Sequence, residues 1–170
     1  MSKPWPGLVK LLELKVTDLD GNVVFEKKDI NNVLHYQGQE LILSCMFGNS
    51  TPPSEYYVGL DSRTSITVNQ NMTSLQGEPT TGGYVRQPLA RGTNFAVTTV
   101  GTSTTSVKAT STTVTFTATG SSYTATDMFL CTSSSGSTGY LISTVAFGTT
   151  VTVSPSNQVS MKFAMQLGDC

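Results

Sequence analysis

The sequence predicts a mainly β protein, an antiparallel β-sandwich or jelly-roll-like fold with an N-terminal β-hairpin and one α-helix packed on the sheet. Three observations carry this. Short segments rich in β-branched and aromatic residues recur between Gly, Ser and Asn turns through the second half of the chain, which is the pattern of a sandwich or jelly roll. Only residues 32–47 space their apolar side chains at three and four, as a helix does. Residues 101–126, GTSTTSVKATSTTVTFTATGSSYTAT, are dominated by threonine and serine, and threonine, branched at Cβ, suits a pleated and half-exposed surface.

In chain order, residues 1–7 read as an extended N-terminal arm and residues 8–170 as a single sandwich domain, a size that buries a core without disulfides or metals. Residues 8–17 alternate Leu12, Leu14 and Val16 with Glu13, Lys15 and Thr17, the period of a half-buried strand. The Asp18-Leu19-Asp20-Gly21-Asn22 turn and a return strand over 23–27 complete the hairpin. For the helix, Leu34, Gly38, Leu41, Ile42, Cys45 and Met46 form the stripe, Asn31 or Asn32 is available as N-cap, and Gly48 is the stop. Thr51-Pro52-Pro53 breaks the chain before the strand Glu55-Tyr56-Tyr57-Val58-Gly59-Leu60. Residues 61–79 are a polar contact loop with a short helical turn near 72–75. The strand expected over 84–91 contains Pro88, which places it at an edge or a bulge.

The second half reads as strands over 95–100, 106–109, 112–119, 125–131, 139–147, 149–154 and 158–167. In the last, Val159, Met161, Phe163, Met165 and Leu167 share one face, so a core strand closes the chain. Within the threonine-rich run, Val107 and Ala109 have one parity and Val114, Phe116 and Ala118 the other. A turn or bulge near 110–113 must therefore reset the face.

Composition argues against several kinds of chemistry. The charged fraction is 12%, against about a quarter in ordinary soluble proteins, and a net charge of −1 gives no footprint for nucleic acid. No segment has the roughly 20 apolar residues that span a bilayer, and MSKPWPG lacks a secretory core, so the expectation is a cytosolically made chain with no membrane partner. Cys45, Cys131 and Cys170 have no metal-ligand spacing and read as free thiols. The Asp18-x-Asp20-Gly21 spacing lacks the further oxygen ligands of a calcium loop and reads as a turn. His35, the single histidine, has no evident catalytic partner and reads as a cap or a surface contact. Ser134 to Ser137 lack the Gly-x-Ser-x-Gly frame of a nucleophile elbow. The reading is no catalytic residue, no cofactor and no metal.

The residues assigned to partner contact are Pro4, Trp5 and Pro6 in the arm, with Trp5 as an aromatic anchor, and Arg63, Arg86 and Arg91. The arginines either pair across loops with Asp61, Glu55 or Glu78 or meet a neighbour's carboxylates. Exposed pairs of this kind contribute about 0–1 kcal/mol.

The order Leu14-Lys15-Val16, DGN turn, Asn31-Asn32-Val33-Leu34-His35, Gly38-Gln39-Glu40, Tyr56-Tyr57-Val58-Gly59-Leu60, Met72-Thr73-Ser74-Leu75 and Gly83-Tyr84-Val85-Arg86-Gln87 resembles small structural proteins of tailed bacteriophages. The resemblance spans roughly residues 14–91 by motif. It implies a non-enzymatic virion component, most simply a capsid decoration (cement) protein that binds the major capsid protein lattice as a dimer or trimer. A tail, neck or fibre-attachment subunit is the alternative within that reading, and a carbohydrate-binding module the alternative outside it.

Overall fold

The computed structural model describes residues 7–100 and 106–167. Eleven strands and one α-helix follow one another: β1 (Gly7–Asp18), β2 (Val23–Asn31), β3 (Val33–Leu34), α1 (Tyr36–Phe47), β4 (Glu55–Asp61), β5 (Gln87–Ala90), β6 (Phe95–Val100), β7 (Ser106–Ser111), β8 (Val114–Thr117), β9 (Tyr123–Cys131), β10 (Leu141–Val153) and β11 (Asn157–Leu167). A 3-10 turn over Met72–Ser74 interrupts the long loop after β4. One sheet runs β2-β1-β11-β7-β6, with β8 also on β11, and the other runs β3-β10-β9-β4-β5. The result is an antiparallel β-sandwich with one helix, the class that alternation and turn chemistry predict.

The hairpin β1–β2 turns on Asp18, whose Oδ1 accepts the backbone N–H of Asp20 at 3.0 Å and of Asn22 at 2.8 Å. These bonds, with that from the Asn22 side chain, favour the carboxylate and hold its pKa below the usual value. The turn thus uses Asp18 for its own amides. Leu14, Val16, Val159, Met161 and Phe163 from the first sheet meet Val58, Leu60, Leu130, Val145 and Phe147 from the second, and this is the main core.

The expected face reset in the threonine-rich run is present, for a simple reason. Strands β7 and β8 pair with the same strand, Thr110 opposite Ala164 and Val114 opposite Met161. Four steps on one side therefore span three on the other, which is a bulge. The Ser111 hydroxyl accepts the N–H of Phe163 at 3.1 Å and so satisfies the ladder at the interruption. Pro88 lies in β5, at the edge of its sheet, where a missing N–H costs no ladder bond.

Four expectations need correction. The helix begins at Tyr36 and not at 32, because Val33 and Leu34 pair with Thr144 and Ser143 of β10 and the N–H of His35 donates to Ile142 O at 2.9 Å. Its N-cap is His35, with no side-chain cap bond, and neither asparagine. The strand over 84–91 shortens to Gln87–Ala90. The two strands expected over 139–147 and 149–154 are one strand, Leu141–Val153, with an irregularity between Ala146 and Val151, where Gly148 has φ +72°. Gly7, assigned to the arm, is the first residue of β1 opposite Leu167; Pro4, Trp5, Pro6 and Cys170 lie outside the described residues. No helix among the described residues is long and apolar enough to cross a membrane.

Candidate functional site

The most elaborate chemistry of the chain lies on the outer face of the second sheet, beneath the loop between β4 and β5. Successive side chains of a strand point to opposite faces, so Leu60 and Met128 enter the main core while Asp61, Asp127, Phe129 and Cys131 point the other way. Asp61 and Asp127 stand directly opposite each other in the β4–β9 ladder, both completely buried. Like charges facing across a ladder repel, and a cation has to lie between them.

Arg63 supplies it. Its Nε lies 2.6 Å from Asp61 Oδ2 as a close ion contact, and its Nη2 donates to Asp127 Oδ1 at 2.9 Å and to Thr144 Oγ1 at 2.8 Å. Its Nη1 donates to Gln70 Oε1 at 3.2 Å, and its backbone N–H donates to Asp127 Oδ2 at 3.0 Å. The remaining Asp61 oxygen accepts Gly77 N–H at 2.7 Å. Burial raises the pKa of Asp61, the Asp127 charge raises it further, and Arg63 opposes both. Two carboxylates and one guanidinium thus pin a polar loop to the sheet.

His35 completes the cluster from the other side of Thr144, its Nε2 lying 2.8 Å from Thr144 Oγ1. It occupies the N-cap position of α1, as the capping expectation has it, but without a side-chain cap bond, and it is fully buried and so not a surface contact. Burial, and then the Arg63 charge, lower its pKa to about 4, with the backbone of Thr67 and Val68 acting against them. At neutral pH it is an uncharged core group.

A second pin holds the far end of the loop. Arg86 grips Glu78 through both oxygens, Nε to Oε1 and Nη2 to Oε2 at 2.7 Å each, and also donates to the carbonyls of Ser133 at 2.9 Å and Gly136 at 2.7 Å. Its guanidinium lies 5.1 Å from the centre of the Phe129 ring. Under the loop Met72, Phe129, Cys131 and Leu141 form a small second core. Burial pushes the Cys131 thiol up in pKa, away from the thiolate that a nucleophile needs.

Arg63 and Arg86 are therefore corrected from surface contacts to interior cations, the loop pairing having prevailed because each finds a carboxylate within its own chain. Arg91 stays exposed, its Nε donating to Pro53 O at 3.1 Å. The tyrosines that a sugar platform would use are engaged too. Tyr84 packs between Phe116 and Tyr123, donates to Glu78 and accepts from Leu60 N–H, while Tyr56 packs edge-on against Phe95. Asp61 and Glu78 were among the loop partners expected for the arginines, whereas Asp127 and Thr144 were not singled out from the sequence. The available signal was a carboxylate set in each of two otherwise apolar strands, EYYVGLD and YTATDMFLC.

At the opposite side of the molecule the sheets part and leave an apolar groove of about 380 Å³. Leu41 and Ile42 of α1 form one wall, and Phe95, Val97, Ala109 and Met165 of the first sheet form the other. Beside it, Met46 and Phe47 at the end of α1 are 62% and 80% exposed. Compared with known proteins, the chain matches no family model and no curated relative.

Proposed function

We propose that this chain is a non-enzymatic structural subunit of a virus particle, a capsid decoration protein that binds the major capsid protein lattice and staples neighbouring capsomers. The observation that carries the reading is the distribution of charge. The two arginines with the strongest partners are spent on fixing a loop, and the open side of the sandwich offers largely apolar and hydroxyl surface, with Arg91 the charged residue lining its groove. An interface core is depleted in charge in the same way. The phage-like motif residues Met72, Tyr84 and Arg86 are loop-packing residues, which ties the resemblance to the scaffold.

The test is to add purified protein to undecorated heads and image the particles. Regular density over the capsid lattice is the expected result. No binding to heads overturns the decoration role, and density confined to the tail or neck replaces it with a tail-associated role.

A further inference from the structure

We infer that β6 is an interface between two copies of this chain, paired antiparallel about a two-fold axis through Val97. The inference starts from how the five described strands with one unpaired side, β2, β3, β5, β6 and β8, are finished. An edge strand presents unpaired backbone N–H and C=O groups, and proteins block such edges with charge, proline, bulges or very short strands. Four of these five carry such devices. Strand β2 contains Glu26, Lys27, Lys28 and Asp29, the last at φ +52°. Strand β5 contains Pro88 and spans four residues, and β8 also spans four, with Thr117 O accepting from the Tyr123 hydroxyl at 3.0 Å. Strand β3 spans two residues, and beyond it β10 is broken at Gly148, with Lys27 Nζ donating to Phe147 O at 2.6 Å.

Strand β6, FAVTTV, has none of them. It is six residues long and free of charge and proline, and it pairs with β7 on one side and with no strand on the other among the described residues. Ala96, Val97, Thr98 and Thr99 are all exposed. Val97, at 69% exposure, overhangs the apolar groove with Ala109 and Met165 beside it. The surface is thus a backbone edge and an apolar flank together.

The matching occupant is an uncharged strand with one apolar face, and among the described edges β6 itself answers that description over six residues, the uncharged β8 over only four. In an antiparallel pair, residues directly opposite point to the same side. Placing Val97 of one copy opposite Val97 of the other sets Phe95 opposite Thr99 and Ala96 opposite Thr98, so both inner faces lie on the same side and the two grooves join. A shift of one residue would put the second groove on the opposite side. The Val97 register is the one that matches faces and engages all of residues 95–99.

The experiment uses the full chain in solution, so it is independent of particle binding, and either reading can fail alone. Sedimentation over a concentration series is expected to show a reversible monomer–dimer equilibrium. Val97→Lys is expected to weaken it at least tenfold, while Val85→Lys, at a site 62% exposed on another part of the surface, leaves it unchanged. Both variants are checked for native circular dichroism. Opposite residues in an antiparallel pair lie about 4.5–5.5 Å apart at Cα, within disulfide reach. Val97→Cys is therefore expected to give a 97–97 cross-link on mild oxidation, and Thr98→Cys is not. A chain that stays monomeric, a dimer indifferent to Val97→Lys, or equal cross-linking at 97 and 98 overturns the inference; a dimer built on another surface shows itself as the second of these.

Discussion

The loop-covered face of the second sheet and the open edge of the first are finished in opposite ways. Beneath the loop, Asp61, Asp127 and Arg63 are buried and mutually engaged, and His35 is held uncharged. Along β6 there is no charge, and four consecutive residues are exposed. Removing charges from water is costly unless each finds its partners, so a buried ion cluster admits one arrangement of the loop. An uncharged edge carries little desolvation cost and can be covered by another chain. The first region holds the shape, and the second is left to be completed.

The largest effect expected is from Arg63→Met. It leaves two carboxylates facing each other in a closed site, and the loss of one partner from a buried ion pair costs about 3–5 kcal/mol. Urea unfolding measures it, and adding Asp61→Asn to Arg63→Met is expected to recover part of the loss by removing one of the stranded charges. No recovery would mean that Arg63 matters for its packing and not for its charge.

The pH response comes next. The pKa of His35 is about 4 in the folded protein, against 6.5 for the free side chain. Above 6.5 both states are neutral and stability is complete. As pH falls from 6.5 towards 4 the unfolded chain takes up a proton that the folded one refuses, and stability falls by an amount approaching roughly 3 kcal/mol. Asp61 acts in the opposite sense, because its raised pKa makes the folded state take up a proton earlier as the solution is acidified. Denaturation curves at several pH values should show the net loss, and His35→Gln should flatten it. An unchanged slope in that variant would assign the acid sensitivity to another group.

A smaller effect is expected at Gly38. A Cβ there would lie 2.5 Å from Ile142 O, so Gly38→Ala must push α1 off β10, at a cost of about 1–3 kcal/mol by the usual scale of overpacking. A thermal melt reads it. The smallest effect on stability, within about 0.5 kcal/mol, is expected from Val97→Lys, although that change should weaken self-association at least tenfold. A large stability loss there would erase the contrast between a fixed interior and an open edge.

The amino-acid sequence by itself determined the mainly β class, the hairpin at Asp18, the single helix with its stop at Gly48, the edge or bulge position of Pro88 and the break in the threonine-rich strand. Each follows from periodicity or turn chemistry within about ten residues, and the backbone obeys those local rules here. The partners of Arg63 and Arg86 were legible only as alternatives, since an exposed loop pair and a buried pin read the same along the chain. Which prevailed depended on β4 and β9 lying side by side, which brings Asp61 and Asp127 together from 66 positions apart. The burial of His35 was decided in the same way, by Val33 and Leu34 joining β10 and carrying the histidine under the loop. Tertiary structure also made β6 an edge, for nothing within FAVTTV distinguishes an outer strand from an inner one. Long-range pairing decides what is desolvated, and desolvation decides whether a charge serves as a pin or a surface group and whether a strand is finished or open.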